Sequence, residues 1–195
     1  MKKVSMIIPC YNEENNVELF YKEAVKTYKE QNYKLELVFI DDGSKDNTLK
    51  NLKELTKEQD CEIKVLSFSR NFGKESAIYA GLKNTTGDYT VIIDADLQQP
   101  PELTIKMANI LDENKYDCVC YYQEERIENK LLSKIKNTFY KTMNKMSEVE
   151  LKQGASDFRM FNNKVKNSLL EIKEYYRFSK GIFSWIGYDT KYLPY

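Results

Sequence analysis

Asp94, Asp96 and Gln98 follow one another at two-residue spacing and are the groups in this sequence best suited to grip a hard cation. They lie in the stretch Asp-Tyr-Thr-Val-Ile-Ile-Asp-Ala-Asp-Leu-Gln-Gln-Pro-Pro-Glu, residues 88–102. If the backbone stays extended past the apolar run, alternation sends two carboxylates and one amide oxygen to a single side. Such a donor set, with room left for water and phosphate, suits Mg2+ or Mn2+ carrying a diphosphate. The plainer alternative is that acidic residues after a strand cap the next helix.

Positioning these groups falls to the elements around them. Tyr89 to Ile93 is a β-branched and aromatic run that reads as a buried strand, and Pro100 and Pro101 suit the entry to a helix. Asp94 and Asp96 then stand at the carboxyl end of a strand, the edge of an open α/β sheet where ligands bind. Upstream, Val4 to Pro9, Leu35 to Ile40 and Glu62 to Phe68 read as strands. A helix ending near Gln31 carries Val17, Phe20, Tyr21, Ala24, Val25 and Tyr28 at helical period. A second has the stripe Leu49, Leu52 and Leu55, with Ser44 or Asp46 as its cap, and a third runs through Ala77, Ala80 and Leu82. Downstream come a helix with Leu103, Ile105, Met107, Ile110 and Leu111 and a strand from Asp117 to about Tyr122. Strand and helix alternate without a hairpin signal, which predicts a mostly parallel, three-layer α/β/α sheet with its functional groups on the loops after the strands. Those loops supply Tyr11 and Glu13, then Asp41 and Asp42, then Arg70 and Lys74, then the central acidic set.

Composition narrows the chemistry. The 195 residues are enough for one substantial core, and 42% apolar content is ordinary for a globular domain. Thirty basic against thirty acidic side chains leave no global field for nucleic acid, and histidine is absent. His-ligated zinc and Ser-His or Cys-His catalysis are thereby excluded. Cys10, Cys61, Cys118 and Cys120 lack metal-site spacing and read as reduced core thiols. The N-terminus turns polar too soon for a signal peptide, and no run approaches the roughly 20 apolar residues that cross a bilayer. A dinucleotide domain is disfavoured, because the first strand leads into Pro-Cys-Tyr-Asn-Glu-Glu with no Gly-x-Gly-x-x-Gly, and no Walker lysine motif is present.

The segments Val-Ser-Met-Ile-Ile-Pro-Cys-Tyr-Asn-Glu-Glu, Phe-Ile-Asp-Asp-Gly-Ser-Lys-Asp-Asn-Thr, Ser-Arg-Asn-Phe-Gly-Lys-Glu and Asp-Ala-Asp-Leu-Gln-Gln-Pro-Pro-Glu, in that order, resemble those of family 2 glycosyltransferases. More narrowly they resemble the polyprenyl-phosphate glycosyltransferases, the dolichol- and undecaprenyl-phosphate enzymes. The resemblance covers nearly the whole chain. It implies a GT-A fold, Rossmann-like, over residues 1–195 as a single catalytic domain, with 1–122 the nucleotide-sugar half and 123–195 the acceptor half. It further implies that Pro9, Tyr11, Glu13, Asp41, Asp42, Lys74, Asp94, Ala95 and Asp96 meet the nucleotide-sugar. Asp94 and Asp96, helped by Gln98, would hold Mg2+ or Mn2+ on the diphosphate.

On the acceptor side, Gln153-Gly154-Ala155-Ser156-Asp157-Phe158-Arg159 resembles the family's Gly-x-x-Asp-Phe-Arg segment. Asp157 is then expected to position the acceptor or sugar, or to act as general base, with Asp96 as the other catalytic carboxylate. A structural Asp157–Arg159 contact is the alternative. Arg126, Lys130, Lys134 and Arg159 are the candidates for an acceptor phosphate, since Gln123 stands where relatives carry an arginine. Residues 130–146 form a basic amphipathic stripe that suits either a membrane surface or the core. The segment Arg177 to Tyr188 also resembles the family's, and Trp185 is expected either in the core or against the sugar. Relatives commonly continue into two hydrophobic helices, which this chain is expected to lack. The expectation is an inverting, metal-dependent transfer of a hexose, glucose first, from a UDP-sugar to polyprenyl phosphate at the cytoplasmic face of a membrane, with a homo-oligomer left open. A polysaccharide, teichoic acid or protein acceptor is the rival, and a non-catalytic nucleotide-binding module is the alternative from another class.

Overall fold

The computed structural model describes residues 1–122, 155–174 and 177–194. Gln123, Arg126, Lys130, Lys134 and the stripe 130–146 lie outside them. Among the described residues the strands are β1 (Lys2–Cys10), β2 (Tyr33–Asp41), β3 (Glu62–Ser67), β4 (Tyr89–Ile92), β5 (Cys118–Tyr122), β6 (Ala155–Asn162) and β7 (Thr190–Pro194). The helices are α1 (Val17–Tyr28), α2 (Thr48–Leu55), α3 (Lys74–Asn84), α4 (Glu102–Asp112), α5 (Asn163–Glu171) and α6 (Ser179–Trp185).

Continuous apolar runs in β1 and β2 require cover on both faces, and the alternation of their side chains divides the core in two. Met6, Ile8, Leu37, Phe39 and Val91 face Phe20, Ala24, Leu52, Met107 and Leu111 of α1, α2 and α4. Ile7, Val38, Ile40 and Ile92 face Ala77, Ile78 and Leu82 of α3, Val165 and Leu169 of α5, and Ile182 and Phe183 of α6. The expected three-layer α/β/α arrangement is therefore observed.

The sheet order is β3-β2-β1-β4-β6-β5-β7. β1 to β4 pair in parallel, so the loops after them share one rim, as the alternation of elements predicts. The later part is mixed: β6 enters antiparallel between β4 and β5, while β7 runs parallel to β5. Between the pairs Cys120 with Arg159 and Tyr122 with Ala155, three residues of β6 oppose the single Tyr121 of β5. This bulge carries Ser156, Asp157 and Phe158, and bulges of this kind re-aim side chains.

At the opposite end of the sheet, the fully buried Glu36 accepts hydrogen bonds from Ser5, from Lys64 at 2.7 Å and from both the backbone and hydroxyl of Thr86. Burial alone would raise the pKa of this carboxyl, but those donors hold it down to about 2. All four cysteines are free thiols, and Cys10, Cys118 and Cys120 are buried, in line with the expected core role. No helix among the described residues is long and apolar enough to cross a membrane.

Candidate active site at the carboxyl edge of the sheet

The first two rim loops are locked to each other. Asn12, at a φ of 58°, gives its N–H to Ser44 Oγ at 3.0 Å and accepts the Lys45 N–H at 2.9 Å. Glu13 N–H reaches Thr48 Oγ1 at 2.7 Å, and that hydroxyl donates in turn to Asp46. Asp46 also accepts the Thr48 N–H at the head of α2, but it does so from the residue before the N-cap, which is Asn47 rather than the expected Ser44 or Asp46. Pro9 is the penultimate residue of β1, while Tyr11, just past the end of the strand, stays 42% exposed at the mouth.

Asp41 and Asp42 stand on the rim as expected, but only 1% and 4% exposed. Asp41 accepts from Ser44 N–H at 3.1 Å and Ser67 Oγ at 3.0 Å, and Asp42 from the N–H groups of Phe72 and Gly73 at 2.7 and 2.9 Å. Each carboxylate keeps further lone pairs for a ligand, yet its present work is to shape the loops. Gly43, at a φ of 68°, lets these loops touch: a Cβ there would lie 2.4 Å from the Arg70 carbonyl carbon.

β4 stops at Ile92, and the acidic stretch leaves the sheet in a turn with Leu97 at a φ of 59°. The expected alternation of Asp94, Asp96 and Gln98 therefore fails, because the backbone is no longer extended there. Asp96 is exposed and accepts the Gln98 N–H at 3.1 Å, whereas Gln99 Oε1, not Gln98, reaches back to the Asp94 N–H at 3.2 Å. Ala95 is buried beneath the turn.

Asp94 continues the parity of Ile92 and so turns toward α3. The first residue of that helix is Lys74, whose Nζ lies 2.6 Å from Asp94 Oδ1 and 3.5 Å from Asp157 Oδ2. Burial of Lys74 favours its neutral form, but the two carboxylates outweigh this and raise its pKa above the ordinary lysine value. Ser156 fixes the bulge by donating to the Tyr121 carbonyl at 2.8 Å and accepting the Phe158 N–H at 3.1 Å. One ammonium thus ties the β4 turn, the β6 bulge and the start of α3 together.

Three expectations change. Asp157 pairs with Lys74 rather than with Arg159. Arg159 is only 5% exposed, lies over the Phe183 ring at 4.2 Å and donates to the Ser156 carbonyl at 2.8 Å, so it braces the bulge from below instead of opening to an acceptor phosphate. Trp185 is neither core nor inside this pocket's bonded network: it is 65% exposed at the end of α6. Sequence reading also missed Glu75, which accepts the N–H of Ser179 at 3.0 Å and its hydroxyl, tying α3 to α6. Its signal was only its place beside Lys74.

The donors fit a small divalent cation. Asp94 and Asp96 are hard oxygen ligands, and an ammonium already occupies the space between Asp94 and Asp157. Among the described residues no group of three or more Asp, Glu, Cys or His could hold an ion unaided. An ion at this turn would complete its shell with water and phosphate oxygens, as Mg2+ and Mn2+ do. Cys10 lies in the field of Glu13, Asp41 and Asp94, and burial, with these charges adding, pushes its thiol well above the ordinary range.

A sheet of this order, with its acidic side chains gathered where parallel strands end, has the GT-A fold of nucleotide-sugar enzymes. The solved structures agree: the mannosyltransferase PcManGT from Pyrobaculum calidifontis in complex with GDP-Man and Mn2+ superposes with a TM-score of 0.66 at 20% identity, covering 99% of this chain and 55% of that one. S. aureus TarS residues 1–349 in complex with UDP gives 0.61 at 17% identity, covering 98% and 57%.

The chain belongs to glycosyl transferase family 2, whose family model matches residues 5–172. It is 41% identical to "Putative glycosyltransferase CsbB" of Bacillus subtilis (strain 168) over 98% of this chain and 58% of that protein. It is 35% identical to the bactoprenol glucosyl transferase of Shigella phage SfX over 99% of this chain and 63% of that protein.

Proposed function

We propose that this chain is the catalytic domain of an inverting, metal-dependent glycosyltransferase that moves a hexose, glucose first, from a UDP-sugar to polyprenyl phosphate. The observation that carries the reading is the convergence of Asp94 and Asp157 on Lys74, with Asp96 two residues beyond Asp94 in the same turn. Relatives named bactoprenol glucosyl transferases, 34–35% identical over 99% of this chain, favour glucose and a lipid phosphate. Work on such a lipid would bring the domain to the cytoplasmic face of a membrane, with residues 130–146 against its surface and Arg126, Lys130 and Lys134 near the acceptor phosphate.

Asp94 and Asp96 would hold Mg2+ or Mn2+, which when bound offsets the charge that grows on the departing diphosphate. The rim formed by Pro9, Tyr11 and Glu13, with the loops braced by Asp41 and Asp42, receives the nucleoside. An acceptor phosphate oxygen attacks the anomeric carbon from the face opposite the diphosphate; the new C–O bond forms as the sugar–diphosphate C–O bond breaks, inverting the centre. A lipid phosphate is already ionised near neutral pH, so no histidine is required. Asp157, aimed by the bulge of β6, orients the acceptor or the sugar hydroxyls across the pocket from Asp94.

The test is incubation of the protein with radiolabelled UDP-glucose, Mn2+ and undecaprenyl phosphate. Label in an organic-phase glucosyl phosphate is the expected result. Label only in water-soluble glycan, teichoic acid or protein acceptors would reassign the acceptor. No metal-dependent UDP binding at all would make the chain a non-catalytic module.

A further inference from the structure

The position of Lys74 has a consequence for the order in which ligands enter. Its ammonium, 2.6 Å from Oδ1, already pairs with the carboxylate that the proposed reading gives to the metal. A divalent ion on Asp94 would face this charge across about 4–5 Å, a strong repulsion in a partly desolvated site. Asp157 is a second anchor on the same ammonium, which draws the two carboxylates toward each other. A diphosphate changes the balance, because it brings several negative charges and offers the ammonium a new partner. Lys74 can follow without backbone movement: its four-carbon stem starts at the first residue of α3, directly after Gly73.

We infer that Lys74 is a resident cation that occupies Asp94 and Asp157 until nucleotide arrives, so that metal alone is held off and metal and nucleotide enter together. The inference rests on the metal assignment made above. It assigns Lys74 a positioning role besides contact with the donor: it keeps Asp157 turned into the pocket and blocks unproductive metal loading.

The measurement is Mn2+ affinity without nucleotide, read from the electron paramagnetic resonance of free Mn2+, for the wild-type protein, Lys74→Met and Arg70→Met. Arg70 is the control, a rim cation that lies 4.2 Å over the Phe72 ring and donates to the Asn71 carbonyl, with no carboxylate partner among the described residues. Lys74→Met is expected to bind Mn2+ alone about tenfold or more tightly than wild type, by the size of such charge interactions. Arg70→Met should stay within about twofold, as a screened surface charge does. UDP should then improve Mn2+ binding less in Lys74→Met than in wild type. An unchanged or weaker Mn2+ affinity in Lys74→Met, or an equal gain in Arg70→Met, overturns the inference. Should Lys74→Met not fold, the 15N resonance of the Lys74 ammonium in wild type decides. Displacement only when Mg2+ and UDP are both present supports the inference, and displacement by Mg2+ alone at low concentration defeats it. If wild type binds no Mn2+ even with UDP, the metal assignment itself has failed, a result distinct from a flat response in the variant.

Discussion

The carboxylate of Asp42 accepts the backbone N–H groups of both Phe72 and Gly73, at 2.7 and 2.9 Å, and so fixes the loop that delivers Lys74. Removing it leaves two part-buried donors without their acceptor. Asp42→Ala is expected to destabilise the fold by about 2–3 kcal/mol, read as a lower urea midpoint. Asp42→Asn, which retains one acceptor oxygen, should lose less. Both should weaken UDP binding in calorimetry, because Lys74 follows the loop.

Gly43 makes the neighbouring contact possible. Gly43→Ala would combine a left-handed backbone with a Cβ driven into the Arg70 main chain, and a loss of about 2–4 kcal/mol is expected. Thermal denaturation reads it directly; a change under about 0.5 kcal/mol would mean that the two loops part easily.

Glu36 gives the protein an acid-sensitive brace. Its folded pKa, near 2, is below the unfolded value, so its contribution is fully present above pH 4.5 and is lost as the pH falls through the folded value. A depression of that size corresponds to roughly 3 kcal/mol for a carboxyl with no exposed surface. Stability measured between pH 5 and pH 2 should therefore fall less steeply in Glu36→Gln than in wild type, from a lower starting point.

At the rim, Asp96→Ala and Asp157→Asn are expected to separate two functions. Asp96→Ala should abolish the metal dependence of UDP binding in calorimetry. Asp157→Asn should leave that binding within a few-fold but lower kcat by about 10²–10⁴, the range for a misplaced positioning or basic group. Equal losses of binding in both variants would argue against two roles.

The sequence made the first four strands, their helices and the shared rim legible, because the period of Val17, Phe20, Tyr21, Ala24 and Tyr28 and the apolar runs of β1 and β2 are local signals. The place of β6 was not legible. Its pairing with Ile92 and Cys120 joins residues far apart in the chain, and nothing local in Ser156 to Phe158 announces a bulge. The same limit applied to the acidic turn, where a positive φ at Leu97 broke an alternation that assumed extended chain. Asp94, Lys74 and Asp157 were each singled out from sequence, but their meeting on one ammonium depends on the three elements that carry them.

The insertion of β6 between β4 and β5 also dictates how the protein can be made. Strand β5 has no earlier strand to pair with, and the outer side of β4 stays bare until residues 155–162 leave the ribosome. A nascent chain that pauses before that point presents an apolar edge to its neighbours, the kind of surface that invites aggregation and chaperone capture.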